Sequence, residues 1–116
     1  LIKIGGIKIM KIVGVSSCSL GIAHTYMAAE VIEKYFRKLG HEVKIERDGS
    51  LGPENIVTER EISSSDVIVL ALSGDLYNPE RFENYENKII KVSADDGVPK
   101  PEKILKLMKD KGIYKE

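Results

Sequence analysis

Residues 11–40 read KIVGVSSCSLGIAHTYMAAEVIEKYFRKLG, and the fold turns on this stretch. Lys11 to Ser16 form a short apolar run of valine and isoleucine, the pattern of a buried strand. The small residues Ser17-Cys18-Ser19-Leu20-Gly21 that follow mark a turn. From Ile22 the period changes. Ile22, Tyr26, Ala29, Ile32 and Phe36 recur at spacings of three and four, with Ala23, Met27, Val31, Tyr35 and Leu39 widening the apolar stripe. Glu30, Glu33, Lys34, Arg37 and Lys38 take the opposite, solvated face, and Gly40 stands where a C-terminal glycine cap belongs.

Working outward, His41 to Glu46 alternates polar and apolar residues, which predicts an edge strand with one wet face. His41 itself lies in the helix-to-strand turn and is expected to be solvated. Asp48 to Pro53 reads as a loop by its glycines and proline. Thr58-Glu59-Arg60-Glu61 is a capping-box pattern that opens a short helix through Ile62. Asp66 to Leu72, apolar after its first residue, reads as a central strand. Pro79 to Tyr85 is assigned to a short helix and Lys88 to Val92 to a fourth strand. Pro101 opens a closing helix carrying Ile104, Leu105, Leu107 and Met108, ending near Gly112. Such alternation implies right-handed β-α-β units. The expected fold is an α/β, Rossmann-like three-layer sandwich with a four-stranded parallel sheet in the order 2-1-3-4. Ligands of open α/β sheets sit where the strand order reverses, outside the carboxyl ends of the strands, and Cys18 falls at that point.

The 116 residues suit one domain, and 18 basic side chains against 18 acidic ones leave no net charge. That balance argues against nucleic acid, whose partners carry a basic surplus or stripe. One cysteine precludes an intrachain disulfide, and with two histidines it makes no Cys/His zinc site. Neither a metal nor a cofactor is expected. The longest apolar run, Val67 to Leu72, is far short of the roughly 20 residues that span a membrane, so no direct membrane insertion is expected. Lys3 and Lys8 interrupt the apolar residues at the start, and Met10 before Lys11 reads as a natural beginning. Residues 1–9 are therefore set apart as an extension or remnant, with 10–116 as the domain. A lone thiol and no export signal point to the cytoplasm.

Cys18 stands before a helix whose first N–H groups lack intrahelical partners. Those donors and the positive end of the helix dipole favour an anion, either a thiolate or a phosphate. A thiol titrates near 8.5, so half-ionisation at pH 7 requires roughly 2 kcal/mol. The dipole supplies about 0.3–1 kcal/mol, reaching ~2 in favourable geometry, and direct N–H bonds to sulfur supply the rest. The arrangement suits a nucleophile that accepts a phosphoryl group and holds its oxygens in the same cradle. The bland alternative is a small buried hydrophobe, the usual state of a lone cysteine. The sequence contains no Walker loop and no G-x-G-x-x-G motif that would place a phosphate elsewhere.

Residues 18–30, from Cys18-Ser19-Leu20-Gly21-Ile22-Ala23-His24-Thr25 to Glu30, closely resemble the Cys-Pro-Thr-Gly-Ile-Ala-His-Thr-x-Met-Ala-Ala-Glu signature of fructose-specific IIB domains of the bacterial phosphoenolpyruvate-dependent sugar phosphotransferase system (PTS). The likeness continues through Gly40 to Glu46, Gly49 to Gly52, Ser65 to Ala71 and Glu80-Arg81-Phe82, over about residues 10–112. It implies that Cys18 accepts a phosphoryl group from a phosphohistidine on a IIA partner. The group then passes to a sugar, by resemblance fructose, carried by a membrane IIC partner that would recruit the chain to the inner membrane face. The phosphate-binding loop would be Ser19, Leu20, Gly21, Ile22 and Ala23 as backbone donors, with His24 and Thr25. Ser19 and Leu20 stand where the family has Pro and Thr, freeing one N–H and removing one hydroxyl. The Leu72 to Leu76 stretch is also longer than the family pattern.

Two other classes fit part of the pattern. A low-molecular-weight phosphatase or arsenate reductase also places cysteine after the first strand, but with an arginine six residues on, where this chain has His24. Arginine clamps phosphoryl oxygens bidentately and a neutral histidine does not. Asp75 and Asp95 are the candidates for the acid such an enzyme uses. A non-catalytic anion-binding regulatory module is the other class. Ser73, Gly74, Asp75 and Ser93 follow strands three and four and either rim the site or serve as turn residues.

Overall fold

The computed structural model describes residues 3–4, 7–17, 22–49, 52–73, 76–93 and 100–114. The strands are β1 (Lys3–Ile4), β2 (Ile7–Lys8), β3 (Lys11–Ser17), β4 (Glu42–Gly49), β5 (Gly52–Glu54), β6 (Val67–Leu72) and β7 (Ile89–Ser93). The helices are α1 (Ile22–Lys38), α2 (Glu59–Ser64) and α3 (Pro101–Asp110), with 3-10 turns at Pro79–Phe82 and Glu86–Lys88. Strands β4, β3, β6 and β7 run parallel in that order, which is the expected 2-1-3-4. The sheet has five strands rather than four, however. β5 pairs antiparallel with the end of β4, Arg47 opposite Glu54 and Gly49 opposite Gly52, inside the stretch read as a loop. Pro53 is tolerated there because an edge strand needs no second ladder of N–H donors. β1 and β2 form a separate antiparallel pair.

The side-chain alternation of each strand divides the core into two layers. Ile12, Val67, Val69, Ala71 and Ile90 meet α1 and α3 through Ala29, Ile32, Phe36, Ile104 and Met108. Val13, Val15, Ile68 and Leu70 face the other way, against Val57, Ile62 and Phe82. Both faces are thus covered, as parallel sheets require. Central strand β3 passes so close to β6 that a Cβ at Gly14 would collide with the Val69 carbonyl oxygen.

Local chemistry sets the element ends. Thr58 accepts from the Glu61 amide at 3.2 Å while Glu61 accepts from the Thr58 amide at 2.9 Å, completing the capping box. Lys44, at 2.8 Å, also holds the same Glu61 carboxylate. Gly40 and Gly112 close α1 and α3 at φ +94° and +79°, where side chains are strained.

The buried stripe of α1 is rotated from its sequence reading. Thr25, Ala28, Ala29, Ile32, Glu33 and Phe36 are buried, whereas Ala23 and Met27 face solvent. Of the polar residues expected to be wet, His41 and Glu33 are buried beside α1. His41 is 4% exposed, accepting from the Met10 amide at 3.1 Å and meeting the Tyr114 hydroxyl at 3.1 Å. Glu33 is bound by Arg47 at 2.7 Å and accepts from the Ile45 amide at 3.2 Å.

Candidate functional site

The carboxyl ends of β3, β4, β6 and β7 lie at one end of the sheet, and α1 starts from that end. Ser17, the last residue of β3, accepts at its carbonyl from the Ser73 amide at 2.7 Å, which holds the end of β6 against it. One residue earlier, the buried Ser16 hydroxyl donates to the Thr25 carbonyl at 2.9 Å. This bond ties the first turn of α1 to the strand that leads into the loop. Cys18, Ser19, Leu20 and Gly21 lie outside the described residues, as does the Ile22 side chain; Asp75 and Asp95 do too.

Of the remaining candidates, Ala23 is exposed, His24 is half-buried and Thr25 is fully buried. The first turn of α1 carries no acidic residue and its last turn carries Arg37 and Lys38. The helix therefore complements its dipole at its C-terminal end and brings no carboxylate of its own to the positive end. His24 Nδ1 is buried without a hydrogen-bond partner among the described residues. Ser93 pairs with Leu72 at the end of β7, and so stands at the same end of the sheet as Ser73. No group of three or more His, Cys, Asp or Glu among the described residues is arranged to hold a metal.

Sequence reasoning missed a polar cluster on the far side of β4. Glu46 is 0% exposed and is clasped by both terminal nitrogens of Arg81, at 2.6 and 2.5 Å, and by the Val57 amide at 2.9 Å. Burial alone would raise its proton affinity, but Arg81, Asp48 and the Val57 amide hold it below the usual glutamate value. Beside it, burial and the Glu46 carboxylate push Asp48 up to about 7, against the opposing pull of the Tyr77 amide and Arg81. By the alternation around Val43 and Ile45, Glu46 belongs to the wet face, whereas the folded chain buries it. The segment that covers it, residues 77–82, lies beyond the next strand and gives no local signal.

A family model described as the PTS system lactose/cellobiose-specific IIB subunit matches residues 13–107. The chain belongs to the PTS IIB family. It is 38% identical to the fructose-like EIIB component 2 of Escherichia coli K12, over 82% of this chain and 88% of the relative. Against the fructose-specific EIIABC component of Bacillus subtilis it is 32% identical over 90% of its length, covering 16% of that protein. A crystal structure of a predicted fructose-specific IIB from Escherichia coli superposes with a TM-score of 0.79 at 32% identity, covering 89% of each chain. In the IIB family, then, a chain of this size occurs both by itself and within longer proteins whose names combine the A, B and C components.

Proposed function

We propose that residues 10–116 form a IIB phosphocarrier that works through an S-phosphocysteine at Cys18. The observation that carries this reading is that the IIB match spans the strand–loop–helix unit whose loop holds the chain's single cysteine. The Cys18 thiolate attacks the phosphorus of a phosphohistidine on IIA. An S–P bond forms, the N–P bond breaks, and its electron pair returns to the imidazole. In the second step a sugar hydroxyl attacks the same phosphorus, loses its proton, and the S–P electrons regenerate the thiolate. No metal is needed if the backbone donors of Ser19 to Ala23, with His24 and Thr25, hold the phosphoryl oxygens.

The EIIBC and EIIABC names of fused relatives support IIA and IIC components as donor and acceptor, and docking on IIC would bring the chain to the membrane surface. Fructose or a fructose-like sugar is the substrate favoured by the relatives, although the matching family model is described by lactose and cellobiose. No helix among the described residues is long and apolar enough to cross a membrane.

The test is incubation with phosphoenolpyruvate, the general PTS proteins and a IIA partner, followed by intact and peptide mass spectrometry at neutral pH. One phosphoryl group on the Cys18 peptide is expected, absent in Cys18→Ser. Undiminished phosphorylation of that variant would overturn the assignment. The stability of Cys18→Ser should change by less than about 1 kcal/mol if the residue serves chemistry rather than packing.

A further inference from the structure

The Asp48 side chain sits near the carboxyl end of β4 with its two oxygens in different circumstances. Oδ2 accepts from the Tyr77 amide at 3.0 Å, and Oδ1 is buried with no hydrogen-bond donor among the described residues. Its neighbour on the same strand face is the fully buried Glu46. Among the described residues the one cation facing both is Arg81, and its nitrogens are already engaged. Nε donates to the Asn78 carbonyl at 3.2 Å. Nη1 bonds Glu46 and the Val57 carbonyl, and Nη2 bonds Glu46 and the Tyr77 carbonyl.

The other charged groups around the site are committed elsewhere. On β4, Lys44 is held by Glu61 of α2, and Arg47 points to the opposite face, where it binds Glu33 of α1. On β5 the residue paired with Asp48 is Pro53, and Glu54 takes the Tyr26 hydroxyl. The described end of β3 brings only Ser16 and Ser17. Among the described residues a second carboxylate here has no counter-ion of its own and leaves a buried oxygen without a donor. A neutral acid resolves both problems: its O–H donates from Oδ1 to Glu46, and Oδ2 remains free to accept from Tyr77.

We propose that Asp48 is a protonation-dependent latch: as a neutral acid it bridges Glu46 and the Tyr77 amide, and on losing its proton it turns to water and lets the amide go. Tyr77 leads from the end of β6, held beside Ser17, into the 3-10 turn at Pro79–Phe82. The latch therefore sets how firmly the Tyr77 end of that turn is held to β4. Arg81 keeps the Tyr77 and Asn78 carbonyls in either state, so the change is local.

The inference stands apart from the phosphocarrier reading, and the unphosphorylated chain tests it. An NMR titration of the full chain from pH 5 to pH 9 would follow the Asp48 carboxyl carbon and the Tyr77 amide. Both are expected to change with one midpoint near 7. Protection of the Tyr77 amide, corrected for intrinsic exchange, should fall about tenfold between pH 6 and pH 8 while that of β3 and β6 holds. Asp48→Asn mimics the neutral acid, since its amide donates to Glu46 and its carbonyl accepts from Tyr77, and it should keep Tyr77 protected throughout. An Asp48 carboxyl titrating near 3.8, or a Tyr77 transition that survives in Asp48→Asn, would overturn the proposal.

Discussion

Glu33 and Glu46 are both buried carboxylates bound by an arginine, on opposite sides of β4, and they do different work. Glu33 joins α1 to the strand that follows it. Its partner Arg47 keeps 14% of its side chain in water. Together they seal an edge: Glu33 takes the Ile45 amide, Arg47 and Asn55 take the Ile45 carbonyl at 2.6 and 3.3 Å, and Arg37 takes the Val43 carbonyl. These are backbone groups of the part of β4 that β5 does not pair. Left bare, such an edge is a template for another strand. Glu46 instead reaches a 3-10 turn from beyond β6, and Arg81 is only 8% exposed. One pair finishes a local element and the other fixes a distant segment. The second is drier and spans more chain, so losing one partner should cost more.

The largest effect should therefore come from Arg81→Ala. It leaves a fully buried carboxylate without its cation and frees the Val57, Tyr77 and Asn78 carbonyls. Breaking a buried pair from one side costs about 3–5 kcal/mol, measurable by urea denaturation. Replacing both partners with apolar residues, Glu46→Leu with Arg81→Met, should cost less than Arg81→Ala alone, because no buried charge is stranded. Glu33→Ala should lose about 1–3 kcal/mol, since Arg47 can turn to solvent while the Ile45 amide goes unpaired. Its second signature is association that grows with protein concentration, read by sedimentation, as the β4 edge opens. Equal losses in Arg81→Ala and Glu33→Ala would mean that the difference in burial decides nothing.

The same contrast explains what was legible in the sequence. Period and punctuation are local, so the four parallel strands, α1, the Thr58 capping box, Pro101 at the start of α3 and both glycine stops could be read directly. The order 2-1-3-4 followed from which strands were apolar on both faces. β5 was not legible because three residues containing Gly52 and Pro53 carry no strand propensity; pairing with Arg47 to Gly49 makes them a strand. Glu33 and Glu46 misled for a related reason. A charged residue at an alternating position signals water unless a distant arginine covers it, and neither Arg47 nor Arg81 announces its partner. At the candidate site the motif around Cys18 was readable from residue identities alone. Asp48 was not: its raised proton affinity arises from Glu46, Arg81 and Tyr77, which meet only in the folded chain.

His41 provides a third buried tie, one that depends on being uncharged, and its effect should be the smallest. Nδ1 accepts from the Met10 amide, so that nitrogen carries no proton, and the ring lies edge-on to Tyr114 with centroids 5.4 Å apart. Burial lowers its proton affinity below the usual 6.5, and the Asp66 carboxylate opposes this only in part. An unfolded histidine takes up a proton near 6.5, while the folded one resists until lower pH. The contribution of His41 is thus complete above about pH 6.5 and is lost as pH falls from there toward the folded value. One proton limits the slope to about 1.4 kcal/mol per pH unit. Glu46, held below its ordinary 4.5, begins to lose its support only in more acid solution. Between pH 7 and pH 5 the Asp48 carboxyl takes up a proton in the folded chain and not in the unfolded one, which works in the opposite direction. His41 is therefore read in an Asp48→Asn background, where thermal unfolding should show a falling Tm. With His41→Gln added to Asp48→Asn, the Tm should start lower but stay flat over that interval. If the slope persists in His41→Gln, the proton is being taken up elsewhere, and His41 contributes by packing against Phe36 and Tyr114 alone.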